Sequence, residues 1–259
     1  MEEVIQINSE LVKLRQDLEN KNREVESLNN KLETLTKETN QFTYIVSHDL
    51  QAPLRMVTGF LDLLEKKYDD KLDGSAKQYI DYAVKGASKM RSLVLDLLEY
   101  SRVNPDTAAF TEVDLDEIIK EAKEKYQPLI EETGAMISSD HLPVVRANKK
   151  QMAQLFQHLL ENALKFRKRE VPEINLTLKK EDDSWVIGIK DNGIGIDPAF
   201  AEKIFIIFRR LHNDESGYGG TGIGLALCKK ITELHGGEIW VEPAGENGSI
   251  FYFSLPARS

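Results

Sequence analysis

The sequence predicts an α+β multidomain protein: an N-terminal coiled coil and a dimeric four-helix bundle, followed by an α/β sandwich. Three observations predict it. Apolar residues recur at spacings of three and four over the first 46 positions, two helical stretches with a broader apolar stripe come next, and the second half mixes capped helices with alternating strands. That second half lacks regular strand-helix-strand alternation, which points to helices on one face of a mixed sheet.

Taken in order, Val4, Ile7, Leu11, Leu14, Leu18, Val25, Leu28, Leu32, Leu35, Phe42 and Val46 form a heptad seam, interrupted by Lys21 and Thr39. A lone helix has nothing against which to bury so narrow a stripe, so a parallel homodimeric coiled coil is expected, with Glu10 and Arg15 placed to pair across it. No Gly or Pro precedes Pro53, so the rod runs for roughly 65 Å at ~1.5 Å per residue. Val46 falls on the seam and His48 on its flank, facing solvent. The stripe then widens through Leu50, Leu54, Val57, Leu61 and Leu64, as suits a four-helix bundle, and Pro53 is expected to bend the helix. Asp69-Asp70-Lys71-Leu72-Asp73-Gly74 reads as a turn. A second helix over residues 75–101 offers Ile80, Ala83, Val84, Ala87, Met90, Val94, Leu97 and Leu98 as its buried face, and Arg102-Val103-Asn104-Pro105-Asp106-Thr107 reads as a hinge.

Beyond the hinge, Asp114 is placed to cap a helix over residues 115–132 and Asn148 one over residues 149–166. Residues 174–178 and 185–189 alternate as strands joined by Glu181-Asp182-Asp183. Helices over residues 198–204 and 222–234 and strands over 238–242 and 250–255 complete the pattern.

Composition narrows the function. A net charge of -9 argues against a nucleic-acid binder, which needs clustered Lys and Arg. The single cysteine, Cys228, rules out an internal disulfide or a four-thiolate metal site and is read as a helix-packing residue. No apolar run approaches the ~20 residues of a membrane span, so no membrane segment is expected and the chain is placed in the cytoplasm.

The chemistry is carried by four patches. In Ser47-His48-Asp49-Leu50, a neutral imidazole has a ring nitrogen able to attack phosphorus, and Asp49 is adjacent to orient or accept the proton on the other nitrogen. In Glu161-Asn162-Ala163-Leu164-Lys165-Phe166, the Asn amide oxygen suits Mg²⁺ and Lys165 suits a phosphate. In Asp191-Asn192-Gly193-Ile194-Gly195-Ile196, a carboxylate can accept the adenine amine while Gly193 and Gly195 let backbone approach the ring. Gly217-Tyr218-Gly219-Gly220-Thr221-Gly222-Ile223-Gly224-Leu225 offers backbone amides and a helix N-terminus to phosphates. It lacks the Gly-Lys-Ser/Thr ending of a P-loop.

The order of these patches resembles the histidine kinases of two-component signalling, over residues 40–256. Ser47-His48-Asp49-Leu50 with Pro53-Leu54 looks like the H box, and Asn162-Ala163-Leu164-Lys165-Phe166 like the N box. Asp191-Asn192-Gly193-Ile194-Gly195-Ile196 looks like the G1 box, Ile204-Phe205 with Phe208-Arg209-Arg210-Leu211 like the F box, and Gly220-Thr221-Gly222-Ile223-Gly224-Leu225 like the G2 box. The H box wording is similar to the phytochrome-like and hybrid branch.

The resemblance implies a sandwich of the Bergerat ATP-binding type. It divides the chain into a coiled-coil signalling helix (1–41), a dimerisation and histidine phosphotransfer hairpin (42–103), a linker (104–112) and a catalytic domain (113–259). It implies that ATP and Mg²⁺ are used, that His48 is phosphorylated with the help of Asp49, and that a separate response regulator receiver takes the phosphoryl group. It places Asn162 on Mg²⁺, Lys165 on phosphate, Phe166 near adenine, Asp191 on its amine, and Arg209 or Arg210 on the γ-phosphate. Phe205 and Phe208 are expected to hold the lid by packing. An upstream sensor, missing from this chain, would drive the rod.

Two residues depart from the family pattern. His158 stands four residues before Asn162, where an Asn is usual, so a second metal contact there is in question. Ala52, four residues after His48, has no group to orient a water, so weak phosphatase activity is expected. His141, His212 and His235 are read as surface or turn residues. A pseudokinase scaffold and a Bergerat ATPase that works without His48 are the rival classes.

Overall fold

The computed structural model describes residues 1–68, 71–104, 109–168, 170–211, 219–245 and 247–257. The expectations for Asp69, Asp70, Pro105, Asp106, Thr107, His212, Gly217 and Tyr218 lie outside the described residues, as do those for the side chains of Val4 and Glu10.

Helix α1 runs from Glu2–Tyr68 and continues through Pro53. Its seam stands in solvent in the single chain, with Leu14 67% and Phe42 69% exposed, and Arg15 pairs with Glu19 of its own helix. Helix α2 covers Gly74–Arg102, capped by Asp73, whose carboxylate accepts the Ala76 N–H at 2.7 Å. It packs along α1 through Ala87, Val94 and Leu98. Ala83 and Met90, expected on the buried face, are exposed. Each lies on a stripe that one hairpin alone does not cover. Among the described residues no helix is long and apolar enough to cross a membrane.

The second half is built on strands β1 (Thr111–Asp114), β2 (Met136–Ser139), β3 (Val144–Ala147), β4 (Glu173–Glu181), β5 (Ser184–Asp191), β6 (Ile239–Pro243) and β7 (Ser249–Pro256). Strands β1 and β3 pair with each other. The main sheet has the order β2-β4-β5-β7-β6, with β2 parallel to β4 and the other pairs antiparallel. The β4–β5 hairpin turns through Asp182-Asp183, with Asp182 at φ 48°.

Helix α5 (Lys149–Lys165) is the spine. Asn148 caps it by accepting the Lys150 and Gln151 N–H groups, and Met152, Leu155, Phe156, Leu159, Leu160, Ala163 and Leu164 form its buried stripe. It lies between α3 (Leu115–Lys125) and α6 (Gly224–Leu234), against β5. The helix expected over residues 115–132 is broken at Tyr126, and Gln127–Thr133 forms a separate α4. Pro128, in the first turn of α4, lacks the N–H that a continuous helix would need there. The helix expected over residues 198–204 is two short 3₁₀ turns, Pro198–Phe200 and Lys203–Phe205.

Candidate functional site

His48 lies on α1 with its side chain 68% exposed, and its Nδ1 is 3.2 Å from Asp49 Oδ1. Tyr44, one turn earlier, stacks on the imidazole at 6.4 Å between ring centroids, and the Arg102 guanidinium sits 5.5 Å over the other ring of that pair, Tyr44. The phosphoacceptor candidate is therefore displayed outward and oriented by a neighbour.

A cavity of about 500 Å³ lies between α5, α6 and the glycine-rich segments. It is lined by Asn162, Lys165 and Phe166 from the end of α5, by Asp191 and Gly195 after β5, by Arg209 and Arg210, and by Gly220, Thr221, Gly222, Gly224 and Leu225. Sequence patches more than 60 residues apart are thus brought to one wall. His48 and Asp49 do not line it, and neither does Gly193.

Asp191 is buried at the end of β5. Its Oδ1 accepts the Gly193 N–H at 2.8 Å and the Ser249 N–H at 3.3 Å, while among the described residues Oδ2 accepts no hydrogen bond. Burial pushes its carboxyl above the usual carboxylate range, against the pull of those two N–H groups. Gly193 supports the site by close approach: a Cβ there would stand 2.3 Å from the Phe166 carbonyl oxygen and 2.8 Å from Asp191 Oδ1. That same carbonyl accepts the Ile194 N–H at 3.0 Å, so the loop is tied to the end of α5.

Lys165 is half-buried, with its ammonium 5.1 Å over the Phe166 ring. Desolvation lowers its pKa; Glu161 and Asp96 oppose this and Arg210 adds to it. Glu161, on the cavity wall, accepts the Tyr126 hydroxyl at 3.0 Å.

Gly222 has φ 75°, and a Cβ there would lie 2.9 Å from the Arg209 carbonyl oxygen. The Phe208 N–H donates to the Gly222 carbonyl at 2.9 Å, with Phe208 itself at φ 64°. Of the two phenylalanines expected to pack, Phe205 is buried, whereas Phe208 is 54% exposed. Phe208 holds the loop through its backbone, because its positive φ turns the ring outward.

His158, singled out in the sequence only as a departure at the metal site, lines the cavity beside Gly224. Sequence reasoning missed Ser92 and Asp96, which enter it from α2, and Ser249 and Phe251 of β7. His235, read as a surface or turn residue, sits in the turn that ends α6 but is buried: its Nε2 accepts the Asn148 N–H at 3.1 Å, its Nδ1 meets the Ile231 carbonyl at 2.8 Å, and its ring stacks on Phe110. The glycine pair that follows it, with Gly236 at φ 75°, signals the turn but not the burial of the ring. His141 is exposed and pairs with Asp116.

Comparison with known proteins gives two family matches. Residues 38–106 match the His Kinase A (phospho-acceptor) domain, and residues 147–259 match the Histidine kinase-, DNA gyrase B-, and HSP90-like ATPase family. Cyanobacterial phytochrome A of Nostoc sp. is 46% identical over 219 residues, which are 85% of this chain and 28% of that protein. Adaptive-response sensory-kinase SasA of Prochlorococcus marinus is 36% identical over 82% of this chain and 57% of its own length. The chain spans less than a third of the phytochromes it matches. Among solved structures, full-length ShkA in complex with AMPPNP is similar, with a TM-score of 0.62 and 25% identity over 83% of this chain and 45% of its own. Histidine kinase ThkA in complex with response regulator protein TrrA has a TM-score of 0.57 and 26% identity over 84% of this chain and 61% of that one.

Proposed function

Because the chain belongs to the histidine kinase family, its phosphoacceptor hairpin followed by an ATPase-type domain, we propose that it is an ATP-dependent protein histidine kinase. It phosphorylates His48 and passes the phosphoryl group to an aspartate of a separate response regulator. The observation that carries this reading is the exposed His48 with Nδ1 3.2 Å from Asp49 Oδ1. A carboxylate only accepts, so Nδ1 holds the proton and the lone pair is on Nε2.

In the transfer, Nε2 attacks the γ-phosphorus. The nitrogen–phosphorus bond forms as the bond from the γ-phosphorus to the bridging oxygen breaks, and its electron pair leaves with ADP. The ring becomes positive, and its Nδ1 proton is held by, and then passed to, Asp49. Beyond presenting this nucleophile, the protein works by position and charge.

The cavity supports the nucleotide half of the proposal. Asp191 takes the adenine amine on Oδ2, Phe166 stands near the ring, and Lys165 with Arg209 and Arg210 faces phosphate, as do the amides of residues 220–224. The donor set also fits Mg²⁺. Asn162 is a hard oxygen donor, and among the described residues no three His, Cys, Asp or Glu side chains gather to hold a metal; Mg²⁺ keeps its waters and takes few protein ligands. Bound there, the ion supplies neutralisation of phosphate charge. A homodimer is supported by the exposed apolar seam of α1 and by Met90 on α2.

Incubation with γ-labelled ATP tests the proposal. Wild type is expected to become labelled and His48→Gln to bind nucleotide without labelling. Label of wild-type strength on His48→Gln overturns it.

A further inference from the structure

The nucleotide cavity is not walled by the catalytic domain alone, because Ser92 and Asp96 of α2 reach into it. Asp96 Oδ2 accepts the Thr221 hydroxyl at 2.5 Å, across 125 residues of sequence, and Thr221 Oγ1 in turn accepts the Ile223 N–H at 3.3 Å. Asp96 is also one of the acidic charges that act on Lys165. An anion that takes a hydroxyl of the glycine-rich loop and attracts the cavity lysine makes the contacts that a phosphate oxygen would make in the same place. Around that lysine the charged wall residues are Asp96, Glu161, Asp191, Arg209 and Arg210. Of the three acids, Asp96 alone comes from the hairpin.

We propose that Asp96 is an intramolecular competitor for the terminal-phosphate subsite: it and a nucleoside triphosphate contend for Thr221 and Lys165, so that ATP releases α2 while ADP leaves it docked. The proposal rests on the reading of the cavity as an ATP site. ADP is shorter by the phosphate that would meet the carboxylate and carries less negative charge, so the docked arrangement selects for it. A second set of contacts sits outside the cavity, at the C-terminal end of α2 and just past it. Lys230 Nζ donates to the Tyr100 carbonyl at 2.9 Å with its ammonium 4.4 Å over the Tyr100 ring, and Gln151 Nε2 donates to the Asn104 carbonyl at 3.3 Å. These contacts involve no residue of the cavity wall, so they survive displacement of Asp96 and act as the pivot. The released domain is then free to carry its nucleotide toward His48, which lies away from the cavity in the docked arrangement.

Calorimetry of the full chain with ADP and with a non-hydrolysable ATP analogue tests this in Asp96→Asn, with Asp81→Asn, elsewhere on α2, as the charge control. Asparagine keeps an acceptor for Thr221 and removes the charge. The affinity ratio of ATP analogue to ADP is expected to rise about tenfold in Asp96→Asn, as removal of one nearby charge at a partly screened site allows, and to be unchanged in Asp81→Asn. Spin labels on exposed Ser88→Cys and Lys179→Cys give the second readout. Their separation is expected to lengthen when wild type takes the ATP analogue, to stay constant with ADP, and to be long without nucleotide in Asp96→Ala. Normal binding of both nucleotides with an unchanged ratio in Asp96→Asn overturns the competition and leaves the kinase reading intact. Failure of wild type to bind either nucleotide overturns both.

Discussion

Asp191→Asn changes one heavy atom at the cavity wall, and its effects on recognition and on folding have opposite signs. Asparagine retains a carbonyl oxygen for the Gly193 and Ser249 N–H groups, now 2.8 and 3.3 Å from Oδ1, but puts an NH₂ where Oδ2 would meet the adenine amine. Loss of a charge-assisted hydrogen bond is worth about 1.5–3 kcal/mol, or roughly 10- to 150-fold in ADP affinity. The stability term follows from the raised pKa of the buried carboxyl. A group with its folded pKa above the unfolded value stabilises the fold fully below the ordinary carboxylate range, and that contribution is lost as pH rises through the raised value. At pH 7 the buried charge is therefore a cost, and Asp191→Asn is expected to melt at or above the wild-type temperature, with the advantage vanishing as pH falls into the carboxylate range. Asp191→Ala instead strands two amides, at about 1–3 kcal/mol for each well-made bond, and should lower the melting temperature by roughly 5–10 °C. Calorimetry with ADP and melting curves from pH 4 to 8 measure both terms. ADP affinity within twofold of wild type in Asp191→Asn, or a melting temperature several degrees lower at pH 7, would refute the reasoning.

The remaining predictions concern the loop, the buried histidine and the hairpin. Gly222→Ala forces a methyl to within 2.9 Å of the Arg209 carbonyl oxygen at a φ of 75°, a backbone strain of about 1–3 kcal/mol; ADP binding should weaken about tenfold, which calorimetry reads. Burial lowers the pKa of His235 despite its bond to the Ile231 carbonyl. Its stabilising contribution is thus present above the ordinary histidine value and lost as pH falls through the lowered one. The catalytic domain should lose melting temperature between pH 7 and pH 5, and His235→Gln should flatten that slope. With Ala52 in place of a water-orienting side chain, added phosphorylated receiver should decay at close to its own spontaneous rate, followed by gel; rapid decay that depends on this protein contradicts the assignment.

The helices were legible where capping and stripe agreed. Asn148 and the apolar spacing from Met152 to Leu164 mark α5, and the two-residue Asp182-Asp183 turn marks the β4–β5 hairpin. The break at Tyr126 was hidden because Leu129 and Ile130 continue the apolar rhythm of α3 on the far side of Pro128. Strands β1, β2 and β3 are four residues each and carry too few alternations to read. In the candidate site, motif residues from Asn162 to Leu225 line one cavity, while Gly193 stands behind it and His48 and Asp49 lie apart from it. Asp96 and Ser92 did not announce themselves, since on α2 they are ordinary polar positions and acquire a role only when the catalytic domain docks on that face. His235 shows the converse: a histidine before two glycines looks like an exposed turn, and it does sit in the turn after α6, but its Nε2 is taken by the N–H of the α5 cap residue Asn148, 87 residues away, and the ring is buried.

The central claim is that Asp49 holds the proton on Nδ1 and leaves Nε2 of His48 to take the phosphoryl group. Phosphorus NMR of the full chain after reaction with ATP and Mg²⁺, under alkaline conditions that preserve phosphohistidine, tests it most directly. The account predicts a single phosphohistidine resonance from the Nε2-linked isomer, absent in His48→Gln; an Nδ1-linked phosphoryl group, or one on any other residue, contradicts it.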